Sequence, residues 1–142
     1  MNNASLLVGS CLAMVILTGA VGVRLLQVRV KEMREKRIHP QAASTSVQMA
    51  AKLLNVQAAD NFRNLFEVPV LFYALCATAL ATRSVPSWLV AGAWLFVCLR
   101  VAHSFIHCTY NKVMHRFPVF MLGLVLVIVL WVAFFGTLPH TA

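Results

Sequence analysis

From Met1 to Val23 the chain carries no charged side chain, and from Leu6 to Val23 it is almost continuously apolar. That run exceeds the roughly 7–15 apolar residues of a signal-peptide core, and no basic stretch precedes it. It predicts a retained transmembrane helix that reaches about Val30. Two more uncharged stretches run from Ser84 to Leu99 and from Phe117 to His140. The first is opened by Pro86, at a position where a helix accepts proline. The second has Pro118 near its start and Gly136 and Pro139 near its end. Hydrophobic residues make up 61% of the 142 positions and charged ones 11%. Soluble chains run to roughly 45–50% and about 25%, and a soluble monomer this small has too much surface to hide the excess. A soluble domain, a disordered chain and a basic nucleic-acid-binding domain are all excluded.

A further span is shorter and more informative. Val68 to Thr82 is apolar over 15 residues, about 22 Å at ~1.5 Å per residue. Crossing a ~30 Å hydrocarbon core takes about 20 residues. Arg83, Ser84 and Pro86 close one end, so the missing residues come from Arg63 to Glu67. Arg63, Asn64 and Glu67 are thereby placed at membrane depth. The helical pattern extends back to about Ser46. The reading is an all-α membrane protein, one four-helix bundle over residues 1–142, with spans at about 5–30, 46–82, 86–112 and 116–138.

Of the net charge of +8, Arg29, Lys31, Arg34, Lys36 and Arg37 crowd the first connection, and Lys112 and Arg116 mark the third. The second has only Arg83. The positive-inside rule then puts the first and third connections in the cytoplasm and both termini outside; in a bacterial cell this is the inner membrane. Four cysteines (Cys11, Cys76, Cys98, Cys108) lie in apolar runs without a CxxC pair and read as reduced, buried residues.

Asp60, Arg63, Asn64 and Glu67 are spaced i, i+3, i+4, i+7, one stripe down one helical face. Arg100, His103, Ser104, His107, Tyr110 and Asn111 repeat that periodicity on the third span. A central arginine facing lipid costs about 2.5–3.5 kcal/mol on the insertion scale. Both stripes are therefore expected to face the interior and each other, with Glu67 and Arg100 as an ion pair. The surplus of cations over acids invites an anionic ligand. His103 and His107, with Cys108 or His115, have a weak metal-ligand spacing, but no acid stands near and HExxH is absent; no metal is expected. Ser104, adjacent to His103, points the wrong way for a nucleophilic triad.

The segments Arg63-Asn64-Leu65-Phe66-Glu67 and Arg100-Val101-Ala102-His103-Ser104, followed by Arg116, resemble the MAPEG family, the membrane-associated proteins of eicosanoid and glutathione metabolism. The resemblance covers essentially the whole chain. It implies a left-handed four-helix bundle assembled as a homotrimer, with glutathione as co-substrate bound between neighbouring subunits. It further implies that Arg63, Asn64 and Glu67 hold the tripeptide backbone and its carboxylates. Arg100, His103 and His107 belong by the same likeness to the third-helix part of that site, and Arg29 to its first-helix edge. Arg116 matches the arginine that stabilises the glutathione thiolate, with Tyr110 or His107 as a hydrogen-bond donor. Two positions depart from the family pattern: Asp60 replaces an arginine, and His107 replaces a tyrosine. Two readings follow. One is a glutathione-dependent transferase or peroxidase acting on small lipophilic electrophiles or hydroperoxides. The other, favoured by Asp60, is a non-enzymatic lipid-binding or scaffold protein. A further variant of the first uses another anionic thiol.

Overall fold

The computed structural model describes residues 2–138. Pro139, His140 and Ala142, which the sequence reading sets at or beyond the end of the last span, lie outside them. The helices are α1 (Asn3–Glu35), α2 (Ser46–Lys52), α3 (Gln57–Asn64), α4 (Val68–Ala81), α5 (Ser87–Cys108) and α6 (Val113–Thr137), with a short 3-10 turn at Pro40–Ala43. Among the described residues, four stretches are long and apolar enough to cross a membrane: Asn3–Glu35, Gln57–Ala81, Ser87–Cys108 and Val113–Thr137. The protein is an integral, multi-pass membrane protein.

The 33 residues of α1 extend about 50 Å, well beyond a ~30 Å hydrocarbon core. Its last turns, including Glu32, therefore project past the lipid. Asn2 caps its start by accepting from the Ser5 N–H at 2.8 Å. Its buried residues, Leu7, Ser10, Met14, Val21, Leu25 and Glu32, fall on one face at heptad-like intervals.

The single helix expected over 46–82 is broken twice. Pro69 has no N–H to donate to the Leu65 carbonyl and disfavours a helical residue before it. Residues Leu65 to Glu67 accordingly form tight turns, with Phe66 N–H bonded to the Arg63 carbonyl at 2.9 Å. The other break, Leu53 to Val56, separates α2 from α3. There the Leu54 and Asn55 amides donate to Glu32 instead of to a helix.

The core is a layer of apolar side chains from all four spans. Phe72 of α4 and Phe96 of α5 stack at 4.8 Å in its middle. Leu7, Met14, Leu75, Leu89, Val127 and Phe134 surround them, all essentially inaccessible. Two of the three indole N–H groups find partners across helices, which a bilayer favours: Trp94 donates to the Leu6 carbonyl and Trp131 to the Leu71 carbonyl. Small residues fix the α5–α6 approach. A Cβ at Gly92 would collide with Leu130, and one at Gly123 with the Arg100 guanidinium. Both close contacts lie within the chain. Cys76 is buried, but Cys11 and Cys108 are only partly so, and Cys98 is exposed; the expectation of four buried cysteines is corrected. Cys98 sits off the α5 series Phe96, Arg100, His103, which faces the core.

Candidate functional site

The inward face of the second span is set by the apolar series Leu65, Val68, Phe72, Leu75 and Ala79, all buried. Counting back at alternating steps of three and four residues, the series continues through Asn61 and Ala58, also buried. The ionic stripe lies roughly 130° away around the helix, at ~100° per residue. Asp60, Arg63 and Glu67 are therefore exposed on the surface of the chain, and Asn64 is half-buried. This corrects the expectation of two stripes facing each other. The inward polar residue of α3 is Asn61, which belongs to neither polar stripe. Its amide donates to the Cys108 thiol at 3.3 Å and its carbonyl oxygen accepts from the Ser104 hydroxyl at 3.4 Å. Its phase with Leu65 and Phe72 is the signal that marks it in the sequence.

On α5 the polar stripe continues the apolar series Leu89, Ala93 and Phe96 at the same azimuth. Arg100, His103, Ser104 and His107 are all buried, as expected. The expected Glu67–Arg100 ion pair is absent, because Glu67 points outward on the opposite side of the apolar seam. Arg100 instead lies between the rings of Phe96 and Phe120, 5.2 and 5.1 Å from their centroids, and donates to the Phe120 carbonyl at 3.0 Å. Cation–π contact is worth about 2 kcal/mol or more when desolvated. The Nε and Nη1 groups of Arg100 have no hydrogen-bond partner among the described residues.

Beyond Arg100, towards the end of the bundle, the rings of His103 and His107 meet edge-on at 5.5 Å. Arg116 then closes the column. Its Nη1 donates to Asn111 Oδ1 at 2.7 Å and stands 3.0 Å from His107 Nε2. A guanidinium cannot accept, so Nε2 is the acceptor and the ring proton sits on Nδ1. Asn111 takes a left-handed backbone conformation, φ 46°, which asparagine tolerates better than most residues. That turn ends α5 and brings Asn111 under Arg116. Tyr110, expected inside with the rest of the stripe, is instead exposed because α5 ends at Cys108, and its hydroxyl lies 3.4 Å from His115 Nδ1. The structure thus pairs Tyr110 with His115, whereas Arg116 is bound by His107 and Asn111.

Arg29, Asp60 and Arg63 come together elsewhere. They line a cavity of about 90 Å³ with Met49, Leu53, Asn55, Val56 and Ala59. Among the described residues, no hydrogen bond or ion pair joins Arg29 or Arg63 to Arg100, His103, His107 or Arg116. The expected site residues therefore form an enclosed column on α5 and α6 and an open cationic cleft between α1 and α3. Asn64, half-buried, ends the cleft's own helix, and Glu67 is exposed in the turn that follows it. An apolar groove of about 580 Å³ opens between α1 and the second span, lined by Val15, Gly19, Phe62, Phe66, Val70 and Tyr73 among others. It can hold an acyl chain or an aromatic group.

The sequence matches a family model described as the MAPEG family over residues 6–136. No curated protein and no solved structure matches it.

Proposed function

This chain belongs to the MAPEG family, and on that premise we propose that it is a glutathione-dependent membrane transferase or peroxidase acting on small lipophilic electrophiles or hydroperoxides. The observation that carries the proposal is the exposed ionic face of α3. Arg63 and Glu67 are exposed on the surface of the chain, within a stretch long and apolar enough to cross a membrane, and Arg29 lines the same cleft as Arg63. Ions left in that position need a protein neighbour, water or a charged ligand to cover them. A second and third copy of the chain would cover them, and the tripeptide, with two carboxylates and an ammonium, would complete the pairing between subunits. Arg29 and Arg63 suit its carboxylates; Glu67 suits its ammonium, with Asn64 on the peptide groups.

Arg116 is the thiolate-stabilising residue. A guanidinium stays charged at all relevant pH and lowers the pKa of an adjacent thiol. His107 and Asn111 engage Nη1 alone, which leaves its other N–H groups free to donate to sulfur. Tyr110 is a second donor if it releases His115. Arg100, His103 and His107 form the wall behind the site in this reading. The lipophilic partner enters sideways from the bilayer, and holding both reactants together supplies much of the rate enhancement. The basic ends of α1 and α6 lie on the cytoplasmic side, where the thiol pool is, and both termini lie outside.

Asp60 favours a second reading, a lipid-binding or scaffold role. Its carboxylate lines the same cleft as Arg29 and Arg63 and opposes a second anionic group there, while the apolar groove beside it would take a lipid. A thermal-shift titration of the detergent-purified protein with glutathione and its S-hexyl conjugate separates the two. Stabilisation follows from preferential binding to the folded state. No shift at millimolar ligand, together with a shift in the presence of a phospholipid, would replace the first reading by the second.

A further inference from the structure

The four residues between α2 and α3 have no helix to order them. Leu54 is 79% exposed, so apolar burial does not hold this stretch either, apart from the buried Leu53. What holds it is one side chain of α1. The Glu32 carboxylate accepts the Leu54 N–H at 2.7 Å, the Asn55 N–H at 3.1 Å and the Asn55 side-chain amide at 3.1 Å. Lys36, one turn on, pairs with it at 2.6 Å. The same ammonium donates to the Lys52 carbonyl at the end of α2, and the Lys52 ammonium donates to the Ala42 carbonyl. A chain of charge-assisted bonds therefore straps the whole Pro40–Val56 segment onto the end of α1.

Met49, Leu53, Asn55 and Val56 of that strap form one wall of the cationic cleft. Arg29, which lines the same cleft from α1, is three residues before Glu32, on the same side of that helix. We propose that Glu32 is a positioning residue for the cleft: it holds the strap in register against α1 and so fixes the start of α3 and the spacing between Arg29 and Arg63. The proposal deepens the glutathione reading and rests on it for the identity of the ligand. The bonds are charge-assisted and Glu32 itself is almost inaccessible, so they are worth more than surface contacts.

The test uses the full chain in detergent. Glu32→Gln keeps the shape but turns one acceptor oxygen into a donor facing amide N–H groups. Hydrogen–deuterium exchange at Leu54 and Asn55 is expected to quicken about tenfold or more, the worth of one or two lost bonds. Glutathione affinity by calorimetry is expected to fall about tenfold, while turnover of a chlorodinitrobenzene electrophile at saturating glutathione stays at the parent's value. Glu35→Gln, which removes only the exposed contact with Lys31, is expected to change neither. Should Glu32→Gln fail to fold, Asn55→Asp sets two carboxylates against each other and opens the strap from the other side. Unchanged exchange at both amides overturns the clamp. Faster exchange with unchanged glutathione affinity overturns its hold on the cleft. A parent protein that binds no glutathione overturns the functional reading instead, and exchange alone still decides the clamp.

Discussion

The second and third spans carry polar stripes of identical spacing: Asp60, Arg63, Asn64 and Glu67 on α3 and the turn after it, and Arg100, His103, Ser104 and His107 on α5. On α5 the stripe prolongs the apolar seam, so it is drawn into the chain and closed over by Phe96, Phe120 and α6. On α3 the stripe stands well off the seam, so the same packing force turns it outward. Two ways of carrying ions through a bilayer thus sit side by side. The enclosed column stabilises its charges with aromatic faces, a carbonyl and a histidine. The open stripe leaves its charges to be satisfied by something outside the chain. Spacing alone does not say which treatment a stripe receives; its phase relative to the apolar series does.

If that contrast holds, the largest stability effect belongs to the enclosed column. Arg100→Ala is expected to cost about 2–5 kcal/mol, the range for emptying a well-packed core position, read as thermal unfolding in detergent. Because no carboxylate is stranded by its loss, Arg100→Met, which keeps volume, should stay near the parent or above it. An Arg100→Ala protein with the parent's stability would break the comparison. The reacting end of the column should respond differently. Arg116→Ala is expected to shift stability by about 1 kcal/mol or less, since Arg116 and Asn111 are themselves only half-buried. Turnover at neutral pH should nonetheless fall on the order of 100-fold, the usual loss for one electrostatic donor. The thiolate absorbance of bound glutathione reads this directly, and a full thiolate signal without Arg116 would remove it from the mechanism.

Gly123→Ala sharpens the enclosed half. The new methyl would strike the Arg100 guanidinium, and overpacking of this kind costs about 1–3 kcal/mol. Combined with Arg100→Ala, most of that penalty should vanish, a non-additivity that a double-mutant cycle measures. For the open half, Arg63→Ala and Glu67→Ala are expected to leave the unfolding of the chain within about 0.5 kcal/mol. They should act instead on glutathione affinity and on the yield of crosslinked trimer. A large loss of chain stability would place them inside after all.

The smallest effect concerns acidity near neutrality. Hydrogen bonds from the Leu54 N–H, then Lys36, and then Asn55 hold the Glu32 carboxyl at about 2, against an ordinary 4.5. The depressed value makes its contribution fully present above about pH 4.5 and lost as pH falls through about 2. Exchange at Leu54, corrected for its intrinsic pH dependence, should therefore stay flat from pH 8 to pH 5. A transition near neutrality would mean that a group other than Glu32 controls the strap.

By itself the sequence determined the membrane class, the four spans and the family. Uncharged runs of this length have one stable environment, and the Arg63-to-Glu67 and Arg100-to-Ser104 motifs with Arg116 narrow the family. It also determined that Arg100, His103 and His107 are interior, because they prolong Leu89, Ala93 and Phe96. Asn61 and the outward turn of Arg63 were legible as well, through the same phase count run back from Phe72. A stripe considered apart from its apolar seam hid both. Pro69 marked one break in the second span, but nothing local marked the break at Leu53 to Val56. That break exists because Glu32, more than twenty residues earlier, takes the two amides that a helix would have used. Only the tertiary structure decided this, as it decided that Arg116 rests on His107 and Asn111 and that Arg100 has aromatic partners instead of Glu67. Periodicity tells which side of a helix turns inward; it does not tell which distant donor or acceptor waits there.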